Sequence, residues 1–129
     1  MDNEVIINLT QHEPTPEQAK AGVTSANKHV KELLTFTEKP TTIELISRAT
    51  KLAYIAREMC DKLGTSDVLI GGAPFFMRPL EYALEAAGMQ PRYAFSKRVS
   101  VEEQLPDGTV VKKNVFKHDG FIIIDILKV

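Results

Sequence analysis

The sequence predicts one α/β domain over residues 1–129, a mostly parallel sheet flanked by helices with an antiparallel β-hairpin and a last strand at its C-terminal end. Three observations predict it. Short apolar runs at Val5-Ile6-Ile7, Val68-Leu69-Ile70 and Tyr93-Ala94-Phe95 each stop at a polar or glycine-rich stretch, as buried strands do. Helix-period segments separate these runs, and strand–helix–strand alternation favours parallel strands joined by right-handed crossovers. Beyond residue 98 the pattern changes to two extended, charged segments around Pro106-Asp107-Gly108, a strong turn signal. The core is therefore read as Rossmann-like.

The elements follow in order. Residues 5–9 read as a buried strand. Thr15-Pro16-Glu17-Gln18 reads as a helix start, with Thr15 capping, Pro16 first in the helix, Gln18 closing a capping box and Gly22 as the stop. Residues 26–36 form a weaker helical stretch. Residues 42–63 are the strongest helix: Thr41 and Glu44 have capping-box spacing, Gly64 ends it, and Ile46, Ala49, Ala53, Ala56, Cys60 and Leu63 recur at three- and four-residue steps on the inward stripe. Residues 67–71 are the second strand, Pro79 to Gly88 the next helix, and residues 92–97 the third strand. Val99–Leu105 and Thr109–Lys117 are the hairpin arms, and Phe121–Ile124 opens a final strand that ends near Val129.

Composition excludes several classes. A formal net charge of −1, with 26% charged residues, implies no broad basic face for duplex DNA. A single cysteine, Cys60, rules out an internal disulfide and a cysteine-based zinc site. The first twenty residues have neither a basic leader nor a long apolar run, and no stretch approaches ~18 apolar residues. A cytoplasmic location without membrane contact is the expectation.

If the three strands are parallel neighbours, their ends share one sheet edge, where open α/β sheets bind ligands. Asn8, Thr10, Gln11 and His12 follow the first strand. They read either as ligand contacts, with His12 moving a proton near neutral pH, or as a turn that caps the next helix. Gly71 and Gly72 follow the second strand and precede a helix, either as an anion cradle or as a tight turn. Neither a Walker A motif nor GxGxxG is present. Ser96 and Arg98 share one face of the third strand, so Arg98 is assigned to an anion and Lys97 to the outside; the alternative is a solvated surface pair. His12, His118 and Asp119 lack metal-ligand spacing, so no metal is expected, and no cofactor.

Asn8-Leu9-Thr10-Gln11-His12 followed by Thr15-Pro16-Glu17-Gln18 resembles the opening of a set of small uncharacterised bacterial and prophage proteins. Ile70-Gly71-Gly72-Ala73-Pro74-Phe75, Tyr93-Ala94-Phe95-Ser96-Lys97-Arg98 and the Pro106-Asp107-Gly108 hairpin are similar to theirs. The strand, its polar turn and the helix start also resemble small CRISPR-associated Rossmann-like proteins of the CARF and ring-nuclease kind, some of which bind or cleave cyclic oligoadenylates. That resemblance implies Thr10, His12, Gly72, Ser96 and Arg98 as ligand contacts. The expected function is binding of a small anionic ligand, a nucleotide or cyclic oligonucleotide, with His12 and Arg98 as the catalytic pair if a phosphodiester is cleaved. The competing expectation is a phage or mobile-element interaction module whose hairpin docks a partner or forms a homodimer.

Overall fold

A computed structural model describes residues 4–25 and 29–124. Five strands form one sheet: β1 (Ile6–Leu9), β2 (Val23–Ser25), β3 (Asp67–Ile70), β4 (Gln90–Gln104) and β5 (Val110–Ile123). Their order is β2-β1-β3-β4-β5. The first four run parallel, and β5 pairs antiparallel with β4. The helices are α1 (Pro16–Lys20), α2 (His29–Leu34), α3 (Thr42–Leu63) and α4 (Pro74–Ala86).

Ile7, Leu9, Val68 and Ile70 line one face of the sheet, and α2, α3 and α4 cover it through Leu34, Leu52, Ala56, Phe76, Leu80 and Leu84. Because side chains alternate along a strand, Ile6, Val23 and Leu69 fall on the other face, where Phe121 packs against them. Arg92 lies across that second face. Its side chain is 9% exposed and pairs with Glu4 at 2.8 Å and Asp67 at 2.7 Å.

Local chemistry explains the boundaries. The Thr15 and Gln18 side chains each bond the other's backbone N–H at 3.1 Å, the reciprocal capping box. Thr41 caps α3 through Glu44 N–H, and Gly64 ends it at φ 68°. Within α3, Ala49, Leu52, Ala53, Ala56 and Cys60 are buried, but Ile46 and Leu63, expected inward, are exposed. The crossing of α4 over α3 takes the alanine side of the stripe and leaves Ile46 at its margin.

Three assignments change. β2 was not foreseen: three residues are too few to show a strand period. Helix α4 starts at Pro74 rather than Pro79, because the stripe Phe76, Met77, Leu80 and Leu84 begins before Pro79 and holds that proline inside the helix. The third strand does not stop at Ser96-Lys97-Arg98, and the last strand is not separate from the hairpin. Each hairpin arm is the continuation of a sheet strand. Asp119 and Gly120 together face Phe95, a bulge with Gly120 at φ 83° that bends β5 without ending it. The helical stretch expected over 26–36 is described only from His29, and residues 26–28 lie outside the described residues. So does the expected strand end near Val129. No helix among the described residues is long and apolar enough to cross a membrane.

Candidate functional site

The chain leaves β1 toward β2 on one side and leaves β3 toward β4 on the other. The loops after β1 and β3 therefore diverge, and the crevice between them is the position at which open α/β sheets bind ligands. Sequence reasoning put Asn8 through His12 and Gly71-Gly72 there, and the structure brings these two loops together. A Cβ built on Gly71 would lie 3.7 Å from Thr10 Cγ2.

Asn8 organises the first loop. It is 5% exposed. Its Nδ2 donates to His12 O at 2.8 Å, and its Oδ1 accepts from Thr10 N–H at 3.1 Å and Thr10 Oγ1 at 2.7 Å. Thr10 Oγ1 in turn accepts from His12 N–H at 3.3 Å. Gln11 reaches away from the crevice, its Nε2 donating to Leu34 O at 3.3 Å and Thr35 Oγ1 at 3.1 Å. Both amide side chains are thus committed to holding the loop. What remains toward solvent is the exposed His12 imidazole, which has no hydrogen-bond or ion-pair partner among the described residues.

The second loop leads into α4. Gly72 sits at φ 137°, a conformation that favours glycine. Ala73 precedes the helix without a side-chain cap, Pro74 has no N–H, and no acidic residue stands in the first turn. The positive end of the helix dipole is left uncompensated there. Phe75 and Phe76, which the sequence offers as core or as a pocket wall, stand beside it, and Phe36, which the sequence does not single out, joins them: its ring meets Phe75 at 5.1 Å and Phe76 at 5.3 Å, both edge to face. Arg48 fixes Phe36 by stacking 4.4 Å over its ring, while its guanidinium caps α2 through Thr35 O at 2.7 Å and Leu33 O at 3.2 Å.

Ser96 and Arg98 stand apart from this cluster. Leu69 is level with Arg92 in the β3–β4 register, so Gly71 is level with Ala94. At ~3.3 Å per residue, Ser96 lies about 7 Å and Arg98 about 13 Å past the glycines along β4. Both are exposed and share the face of Arg92, away from α2, α3 and α4. Tyr93 packs on the helical core, so the residues on the helix-covered side are Phe95 and Lys97. Lys97 also stands directly opposite Lys117 on β5, a like-charge pair. Sequence reasoning placed Lys97 outside because the phase of the pleat could not be known before the Tyr93 contact was. No group of three His, Cys, Asp or Glu side chains among the described residues could hold a metal ion.

One family model matches residues 4–122, a span holding both loops, all five strands except the last residue of β5, and the hairpin. The chain belongs to the uncharacterized protein MJ1673 family. All the crevice residues described above fall inside the matched span. Neither the curated proteins nor the solved structures contain a match to the chain.

Proposed function

We propose that the crevice between β1 and β3 binds a small anionic ligand, a nucleotide or cyclic oligonucleotide, on a Rossmann-like doubly wound sheet. The observation that carries this reading is the diglycine loop Gly71-Gly72. It leads into an uncapped helix N-terminus at the point where the strand order reverses. Backbone N–H groups and the α4 dipole would hold a phosphate, Lys97 would supply charge from the same side of the sheet, and the exposed edge of Phe75 offers a base a stacking surface. His12 is the group on the loop suited to proton transfer. If a phosphodiester is cleaved, His12 is the acid or base. Arg98 would then meet the ligand only if it reached along the opposite face of β4.

A thermal-shift panel of phosphate and mono-, di- and cyclic nucleotides, including cyclic oligoadenylates, tests the proposal. A ligand at 100 times its Kd adds about 2.7 kcal/mol, or roughly 10 °C for a domain of this size. The shift should fall in Lys97→Ala and persist in Arg98→Ala. No shift with any member of the panel would overturn the proposal.

The second reading, an interaction module, is favoured by the hairpin. Beyond Arg92, β4 pairs with β5 alone, and Phe116 on that arm is 70% exposed. Such an arm would dock a partner or a second copy. Replacing the arm beyond Lys97 and its partner Lys117 by a tight turn should abolish that contact and leave any crevice ligand bound.

A further inference from the structure

A second concavity lies on the outer side of the helical layer, between α3 and α4 and away from the crevice. Its volume is about 710 Å³. The alanines Ala49, Ala53 and Ala83 form its floor, and Tyr54 and Tyr82, 69% and 76% exposed, form its walls. Ile46, one of the two residues that left the core stripe, also lines it. From Ile46 to Arg57 the α3 side runs about 16 Å, three helical turns. An arginine closes each end. Arg57 stands at one, held by Asp61 and by Ala87 O at 3.3 Å. Arg78 stands at the other, exposed and without a carboxylate partner among the described residues.

We propose that this groove seats an acidic amphipathic helix of a partner protein. Large exposed apolar side chains rimmed by charge mark interaction surfaces, and a helix lays its apolar stripe into such a trough. The lining charge selects among occupants. The lining includes two guanidinium groups and no carboxylate. Arg57 is already paired with Asp61, so Arg78 is the unpaired charge of the lining, and the facing lining of a second copy would offer it no carboxylate. Both tyrosine walls are themselves mostly exposed to solvent, which suits a helix better than an acyl chain that needs enclosure. A partner helix with leucine-like side chains over the alanine floor and a carboxylate near Arg78 satisfies both the shape and the charge.

The test uses fluorescence anisotropy on the full chain with synthetic helical peptides of about four turns. Each carries leucines at i, i+3, i+4 and i+7 and either glutamates or lysines at both ends. The glutamate peptide should bind about tenfold tighter than the lysine peptide, and Arg78→Glu should reverse that order while Thr50→Trp, which fills the groove, weakens both. Circular dichroism melts establish that the variants fold. The proposal is overturned if neither peptide binds, or if Arg78→Glu leaves the order unchanged. It is also overturned if the protein sediments as a dimer that Tyr82→Asp dissociates, or if a fatty acid displaces both peptides.

Discussion

Replacing Asn8 by alanine should be one of the more damaging single changes in the chain, although Asn8 reads from sequence as a ligand contact. The side chain makes three hydrogen bonds, all within its own loop. Its loss strands the Thr10 N–H beside a buried strand end and leaves the His12 carbonyl with the Thr10 hydroxyl as its donor, at 3.1 Å. At about 1 kcal/mol for each bond and more for a buried group left unpaired, the cost is about 2–4 kcal/mol. Unfolding entropy for 129 residues is roughly 0.27 kcal/mol/K, so Tm should fall by about 7–15 °C. Urea unfolding followed by circular dichroism gives the free energy, and amide exchange at Thr10 reports the loop directly. His12→Ala is the control: an exposed side chain without a bonded partner should change stability by no more than about 0.5 kcal/mol. Should Asn8→Ala melt within about 2 °C of the parent with the Thr10 amide still protected, the loop is not built on Asn8 and its amide is free to read a ligand.

Other outcomes follow from the same geometry. Arg92→Ala leaves the Glu4 and Asp67 carboxylates unpaired on the second face; because both are part-exposed, the loss in chemical denaturation should be about 2–4 kcal/mol, the lower end of the range for breaking a buried pair. At Gly22, φ is 103° and an added Cβ would fall against Glu4 O, so Gly22→Ala should cost at least about 3 kcal/mol in urea. Gly71→Ala, with open contacts and an ordinary φ, should cost under about 1 kcal/mol. Burial, together with the charge and hydrogen bond of Glu81, pushes the Tyr93 phenol up to about 12 from an ordinary 10. A phenol is neutral when protonated, so this stabilisation is complete below pH 10 and is lost as pH rises through 12. Ultraviolet titration should show a late-ionising tyrosine that disappears in Tyr93→Phe and moves down in Glu81→Gln. Replacing residues 97–117 by a tight Asn-Gly turn removes none of the buried core, and the melting temperature should stay within about 5 °C.

Much of the fold was legible where local signals agree. Helix α3 has a broad stripe, a threonine cap and a left-handed glycine stop, and its ends fall where those residues stand. The Pro106-Asp107-Gly108 turn was legible because Asp107 bonds Thr109 N–H and Oγ1 within it. Other features rest on contacts that one-dimensional patterns do not carry. Two prolines each fit a helix start, and only the packing of Phe76 against the sheet selects Pro74. Asp119-Gly120 has the composition of a turn, yet pairing on both sides turns it into a bulge. The crevice loops were visible as polar residues after apolar runs. What those residues bond to was not: Asn8 folds back on its own loop, and Gln11 crosses to α2, twenty-three positions away.

The central place of β1 shapes how the chain must assemble. β1 is made first, yet it pairs with β3 some sixty residues later, Ile6 beside Asp67, and Thr65 Oγ1 donates to Val5 O at 2.6 Å. During synthesis the chain therefore carries the buried strand β1, with Val23 of β2 beside it, that cannot be enclosed until α3 and β3 have emerged, whereas β4 and β5 meet through a local turn. High sequence separation slows closure and prolongs exposure of unpaired strand edges. Nascent chains halted before residue 70 should be the aggregation-prone species, and those that have passed β3 should already hold the central sheet.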